Sequence, residues 1–452
     1  MSDKNLIISN ILQDEGPLLG SELNKILQDT LAVTPEYARK LIQRASNSNV
    51  IFSTKPVSFQ RGQFLYYLEH QDISQEIINA LKKQRKGLSR VIQSLIHQKG
   101  RMLKTESVKL SAAITNNDFF PNNISDEKVV EELFHLELIN KVEEYQRIPY
   151  ISSKVINAND SQTELFLLYR RHMVNRLFTL DALEWMERCN LVSWNQTLVF
   201  DTLQNRVDYN GQLWDAVGFT YLYGHYVTHY DSNEKIKTPS FVFIESIFHR
   251  QTYVEDVEGF ISRIQMQDAR MKNFKSGSRI TPVLFYRSLE KEAFHLAKEK
   301  GLLLYQLKDW LGDFSLSLFE FLVNPYVENH DQLSTQYCFL LNSLGLQQSH
   351  IYRELFVVTH ADKFIQKEWA VRRHLHYLIE NEPFYVDWLM FDKNDTPHIC
   401  TFISKHSPNL HIQINEFVEN TFSTFESIYH SLKGVGVKWM IFDEEGLYLH
   451  SE

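Results

Sequence analysis

The sequence predicts a multidomain chain: helical, hairpin-bearing modules at the N-terminus, an α/β domain in the middle and an α+β domain at the C-terminus. Three observations carry this. The chain has 452 residues, whereas an ordinary domain takes roughly 100–200. Its hydrophobic fraction of 43% is enough for several cores. Apolar periodicity is helical through the first third, and beyond residue 160 helical and strand-like segments alternate.

Composition excludes several classes. No run approaches the roughly 18 apolar residues of a membrane span, and "MSDKNLIISN" has neither the basic start nor the apolar core of a signal peptide. The expectation is a soluble, cytoplasmic protein with no membrane partner. Cys189, Cys338 and Cys400 lack any CxxC or CxxH spacing, which argues against a disulfide framework or a zinc ribbon. The net charge of −9 disfavours a chain coated in nucleic acid. Yet Lys82 to Lys109 holds nine basic residues and one acid, Glu106. That run is either a phosphate-binding surface or a solvated helix face.

Residues 1–72 form the first module. Leu6, Ile7, Ile8, Ile11 and Leu12 mark one helix, and Leu23, Ile26 and Leu27 a second. In "TPEYARKLIQRAS" Thr34 suits an N-cap and Pro35 the first helical position. Ala38, Leu41, Ile42 and Ala45 then make one apolar stripe, with Tyr37, Lys40 and Arg44 on another face. "VIF" and "QRGQFLYYLE" read as strands, with Arg61-Gly62 turning. Three helices followed by a hairpin resemble a winged-helix domain. The resemblance implies DNA contacts from the third helix (Tyr37, Arg39, Lys40, Gln43, Arg44) and from the wing (Arg61).

Residues 73–155 read as a degenerate second winged helix. The last helix of this module turns Val129, Val130, Leu133 and Phe134 inward, but its outer positions are Glu127, Glu131 and Glu132, which repel phosphates. Any DNA contact here falls to its first helix and basic lead-in: Lys82, Lys83, Arg85, Lys86 and Arg90. The other expectation is a spacer or a homodimer contact.

Residues 160–325 read as the α/β domain. A long helical segment precedes strands around the turn signal Asn210-Gly211. A βαβαβ run then covers "PSFVFIES", "YVEDVEGFISRIQMQDARMKNF", "ITPVLFY", "LEKEAFHLAKEKG" and "LLLYQL", implying parallel strands with helices on the faces. The order resembles the restriction-endonuclease-like PD-(D/E)xK nucleases. That resemblance implies an acid after a hairpin strand, a second acid on the next strand and a lysine two residues on. Residues i and i+2 of a strand share a face about 7 Å apart, so acid and lysine reach one phosphate. The acids would hold Mg²⁺, and the lysine would steady developing charge.

Asp215 matches the first acid and Glu245, in "FVFIESIFHR", the second. Glu184 matches the additional acid of some members. Ile247 stands at the lysine position. Three readings of Glu245 stay open: a metal ligand in a nuclease whose cation has migrated to Arg250 or Arg263, a remnant in a domain that only binds nucleic acid, or, with no nuclease relationship, an acid at a strand end paired with a nearby Lys or Arg. An unpartnered buried carboxylate would be costly, so each requires a partner.

Residues 330–452 read as α+β: a long amphipathic helix over "DKFIQKEWAVRRHLHYLIENE", two strands, another long helix and two strands. His225 and His229 on one strand stand about 13 Å apart, too far for one metal. The joined architecture resembles bacterial restriction, mobile-element or phage-defence proteins. The functional expectation is a DNA-binding protein with a divergent Mg²⁺-dependent nuclease site. The alternative is a non-catalytic regulator or scaffold built on a pseudo-nuclease domain.

Overall fold

The structure is a computed structural model. It describes residues 3–115, 123–145, 148–156, 162–193, 196–199, 207–222, 227–231, 234–273, 279–311, 370–379, 382–391, 397–402, 438–443 and 446–450.

The first module comprises α1 (Asp3–Glu15), β1 (Leu18–Leu19), α2 (Gly20–Leu31), α3 (Pro35–Asn47), β2 (Phe52–Ser53) and β3 (Leu65–Tyr67). Its small sheet has the order β1-β3-β2. Thr34 caps α3 by accepting from the Tyr37 backbone N–H at 3.4 Å, as the sequence predicts. The stripe Ala38, Leu41, Ile42 and Ala45 is buried in one core with Ile8, Leu12, Leu23 and Leu27.

The second module comprises α4 (Ser74–Gln84), α5 (Lys86–His97), β4 (Arg101–Leu103), α6 (Lys104–Ser111), α7 (Asp126–His135), β5 (Glu143–Tyr145) and β6 (Ile148–Ser152). Its sheet has the order β4-β6-β5. Val129, Val130 and Leu133 point inward from α7 and Phe134 packs partly against the same cluster. That cluster also takes in Val57, Phe59 and Leu65, so the hairpin of the first module is embedded in the core of the second.

The middle region begins with α8 (Gln162–Arg188), β7 (Leu198–Val199), β8 (Val207–Tyr209), β9 (Gln212–Trp214), β10 (Ala216–Thr220), β11 (Val227–Asp231) and β12 (Glu234–Thr238). It continues with β13 (Ser240–Thr252), α9 (Val254–Asn273), β14 (Ile280–Leu289), α10 (Lys291–Glu299), β15 (Leu303–Gln306) and α11 (Leu307–Leu311). The main sheet has the order β15-β14-β13-β10-β7. β13, β14 and β15 pair in parallel, while β10 is antiparallel to β13 and β7. Asn210 and Gly211 turn the β8–β9 hairpin with φ of 55° and 72°, the left-handed geometry that Asn-Gly favours. β13 is covered on both faces: Val242, Phe243, Ile244, Ile247 and Phe248 are all buried.

The C-terminal region holds β16 (Ala370–Ile379), β17 (Glu382–Phe391), β18 (Pro397–Phe402), β19 (Lys438–Asp443) and β20 (Gly446–His450) in that spatial order. β18 and β19 are parallel and the other neighbours antiparallel. This corrects one expectation: the segment read as a long helix is strand β16 over Ala370–Ile379. Val371, Leu375, Tyr377 and Ile379 recur at even spacing, and this period-2 pattern prevailed over the helical one. The second long helix expected here lies outside the described residues. Among the described residues no helix is long and apolar enough to cross a membrane.

Candidate functional site

Asp215 stands between β9 and β10, where the edge of the hairpin meets the middle of β13. Its backbone N–H donates to the Ile244 carbonyl at 3.2 Å. Its Oδ2 accepts from the Ser246 N–H at 2.8 Å, so the main chain of β13 fixes the carboxylate. Ala216 pairs with Ile244 across the ladder, which sets Asp215 beside Glu245.

Both acids meet one ammonium. Lys109 Nζ, near the C-terminal end of α6, lies 2.9 Å from Asp215 Oδ2 and is ion-paired to Glu245 Oε1. The second oxygen of Glu245 accepts from Arg263 of α9 at 2.6 Å. Arg263 also donates to the Leu213 carbonyl at 2.6 Å and lies over the Trp214 ring, 4.7 Å from its centroid. All four charges are nearly excluded from water, with exposures of 6% for Lys109, 0% for Asp215, 4% for Glu245 and 1% for Arg263. Two cations face two anions, so this half of the cluster is neutral. Ile247, at the lysine position, is packed in the apolar cluster with Phe243, Val257 and Phe260.

A second set of charges continues along the same strand. His249 Nε2 is 2.6 Å from Glu106 Oε1 of α6. Asn175 of α8 donates to the Ser246 carbonyl and accepts from the Phe248 N–H, so its oxygen is the atom facing His249 Nδ1 at 3.1 Å. Both ring nitrogens therefore face acceptors, which calls for a proton on each. Arg250 forms a bidentate pair with Asp256, both contacts at 2.7 Å, and its Nε is 4.0 Å from Glu106. Burial alone would raise the Glu106 carboxyl. The charge and hydrogen bond of His249, with Arg250 and Lys109 behind them, outweigh it and hold the group well below the usual carboxylate range. For Arg250, burial acts to lower the guanidinium, and Asp256, Glu106 and Glu245 raise it overall.

The predicted site residues thus divide. Asp215 and Glu245 converge, and Arg263 joins them. Arg250 is on the same cavity wall but serves Asp256 and Glu106. Glu184 is a half-exposed residue of α8 paired with Arg188 one turn on. Sequence reasoning missed Lys109 and Glu106, seeing them only as members of a charge run. Their i, i+3 spacing on one helix was the available signal.

The candidate DNA-contacting residues divide likewise. Arg39, Lys40, Gln43, Arg44 and Arg61 are exposed, and Tyr37 is half-buried with its hydroxyl accepting from Lys4 at 2.7 Å. Lys82, Lys83 and Lys86 are exposed. Arg85 is half-buried, pairing with Glu132 and donating to the Ser58 carbonyl at 2.6 Å. Arg90 is a correction: it is 7% exposed and does not belong to a phosphate-binding surface. Its guanidinium caps the end of α6 through the Leu110 and Ser111 carbonyls and reaches Ser262 Oγ on α9 at 3.1 Å.

The donor set for a divalent cation is Asp215 with Glu245. Mg²⁺ commonly takes one or two protein carboxylates and completes its shell with water and phosphate. In the present arrangement Lys109 and Arg263 already engage the pair, and a further dication would leave the buried cluster with a net positive charge. The residues do not fit Mg²⁺ while Lys109 is in place. Among the described residues no group of three or more His, Cys, Asp or Glu is set to hold a metal ion.

No family model matches the chain, and no curated protein matches it. Among solved structures, one chain described as "Structure of EndoMS-dsDNA2 complex" is similar at 12% identity with a TM-score of 0.19. The match covers 36% of this chain and about half, 52%, of that one. A likeness of this size defines neither fold nor activity.

Proposed function

We propose that this chain is a DNA-binding protein whose α/β domain is a divergent, restriction-endonuclease-like module, held closed in the arrangement described above. The observation that carries the reading is the convergence of Asp215, from the corner between β9 and β10, and Glu245, from β13, on the single ammonium of Lys109. The acid pair matches the nuclease pattern, and a lysine from α6 stands beside it where Ile247 leaves none on the strand. Support for DNA as the ligand is the exposed basic face of α3, opposite its buried stripe, on a three-helix module with a small sheet of winged-helix type.

Each residue then has a role that needs no bound metal. Ser246 N–H orients Asp215, Lys109 bridges the two acids, and Arg263 orients Glu245 and supplies the second balancing charge. Cleavage would follow only after Lys109 leaves room for Mg²⁺ and the site admits a phosphate. A second reading, a non-catalytic regulator or scaffold, is favoured by the charge balance and burial of the cluster. The two separate in one assay: plasmid, linear and single-stranded DNA incubated with Mg²⁺ or Mn²⁺ and either wild type, Asp215→Ala or Glu245→Ala. Cleavage by wild type alone supports the nuclease reading, and identical traces from all three proteins reject it.

A further inference from the structure

The hairpin of the first module ends against the second. The Gln60 N–H donates to Gln84 Oε1 at 2.9 Å, and the Arg85 guanidinium donates to the Ser58 carbonyl at 2.6 Å. Beneath these bonds Val57, Phe59 and Leu65 share one buried cluster with Ile77, Leu81 and Leu88 of α4 and α5. The loop between β2 and β3 is therefore fixed to the corner where α4 passes into α5. Its tip, Arg61-Gly62, is exposed, with φ of 59° and 70°, and a Cβ on Gly62 would meet no described atom within 4 Å.

That corner carries Lys82 and Lys83 in the last turn of α4 and Lys86 at the start of α5, all three exposed. Gln60 and Gln84, joined by the hydrogen bond, are the chain neighbours of Arg61 and of Lys83, and neighbouring Cα atoms are only about 3.8 Å apart. The tip cation thus stands beside the lysines. Among the described residues none of these four side chains forms an ion pair or a hydrogen bond. Other cations of the run from Lys82 to Lys109 are committed to the fold: Arg85 to Glu132, Arg90 to the Leu110 and Ser111 carbonyls, Lys104 to Asp126, and Lys109 to Asp215 and Glu245.

Fold stability does not account for the free charges. A cation suits the C-terminal end of α4, but Lys86 opens α5 against the helix dipole, and no acid in that turn offsets it. Four like charges gathered in a chain of net charge −9 repel one another until an anion arrives.

We propose that Arg61, Lys82, Lys83 and Lys86 form one phosphate-binding ridge, built jointly by the hairpin and the α4–α5 corner, that grips the backbone of double-stranded DNA. This rests on the reading of α3 as a DNA-contacting helix and lengthens the contact, since α4 and α5 lie outside the three helices and hairpin of the first module. Contacts of this kind go to phosphates, so the ridge adds affinity and orientation but no base preference.

The test uses the full chain and a mixed-sequence DNA duplex, with binding followed by fluorescence anisotropy across a salt series. Arg61→Gln/Lys82→Ala/Lys83→Ala/Lys86→Ala lowers the slope of log K against log salt by about 3–4, close to 0.9 per phosphate contact. Lys99→Ala/Lys141→Ala/Lys291→Ala/Lys308→Ala removes the same charge from exposed positions elsewhere and leaves the slope near that of wild type. In wild type, saturating duplex protects Lys82, Lys83 and Lys86 from acetylation more than Lys99 and Lys141, and this arm decides alone should the ridge variant not fold. A ridge variant with the slope of the control, or acetylation that the duplex does not change at the three lysines, overturns the ridge; a slope still lowered by Lys40→Ala/Arg44→Ala then leaves α3 as the reader. A wild type that does not bind the duplex overturns both. Ridge-dependent binding to double-stranded RNA but not to DNA assigns the surface to another nucleic acid and overturns the proposal as well.

Discussion

Lys109 Nζ lies 2.9 Å from Asp215 Oδ2 although 106 positions separate the two residues in the chain. The contact joins the last turn of α6 to the corner between β9 and β10. It converts an acid pair that the strands bring together into a neutral, water-excluded cluster.

Removing the cation should therefore cost more than the ion pairs contribute. Lys109→Met leaves two carboxylates facing one another in a buried site, and the expected loss is about 3–5 kcal/mol, the usual penalty for breaking a buried pair from one side. Thermal unfolding measures it. Adding Asp215→Asn to Lys109→Met should recover part of the loss, because the stranded charge is then gone while Glu245 keeps its pair with Arg263.

Arg263 should not tolerate lysine. Its guanidinium donates to Glu245 and to the Leu213 carbonyl while stacking on Trp214. An ammonium cannot match that planar fork. Arg263→Lys should destabilise by about 1–3 kcal/mol through the unpaired Leu213 carbonyl and lost stacking. A denaturation midpoint equal to wild type would contradict the packing described.

Acid should weaken the fold through Glu106. Its carboxyl is held below the ordinary range in the fold, mainly by His249 acting against burial. The unfolded value is about 4.3. Stability from this group is thus complete above the unfolded value and is lost as pH falls toward the folded one. Glu106→Gln should lower stability near neutrality and flatten the decline below about pH 4, read from Tm against pH.

DNA binding should separate the exposed cations from the buried one. Lys40→Ala/Arg44→Ala should reduce the slope of log K against log salt by about 2, close to 0.9 per phosphate contact. Arg90→Ala should leave that slope unchanged and lower Tm instead, since its guanidinium holds α6 and α9. Fluorescence anisotropy across a salt series, beside melting curves, checks both.

Much of the architecture was legible because its signals are local. The α3 stripe and Thr34 cap follow from helical period and side-chain chemistry within a few residues, and the Asn210-Gly211 turn from backbone freedom at two positions. That Asp215 would meet Glu245 was an expectation of the family resemblance, and the pairing of Ala216 with Ile244 is what sets the two side by side. Local signals also misled. The segment around Ala370–Ile379 satisfies two periods, and the sheet that pairs it with β17 chose between them.

Of the two cations, Arg263 was among the sequence candidates, but Lys109 was not legible, because it comes from α6, far from Ile247 along the chain. Arg250 and Arg263, the near candidates, parted ways: Asp256 took the first and Glu245 the second. The sequence alone placed Asp215 and Glu245 in strand-forming segments of an α/β region and showed Ile247, not lysine, two residues after Glu245. Only the tertiary structure decided that Lys109 answers the pair and that Arg90 turns inward beside it. The reason is physical: a buried carboxylate must be neutralised by whichever base the packing brings within about 3 Å, and sequence separation does not enter that requirement.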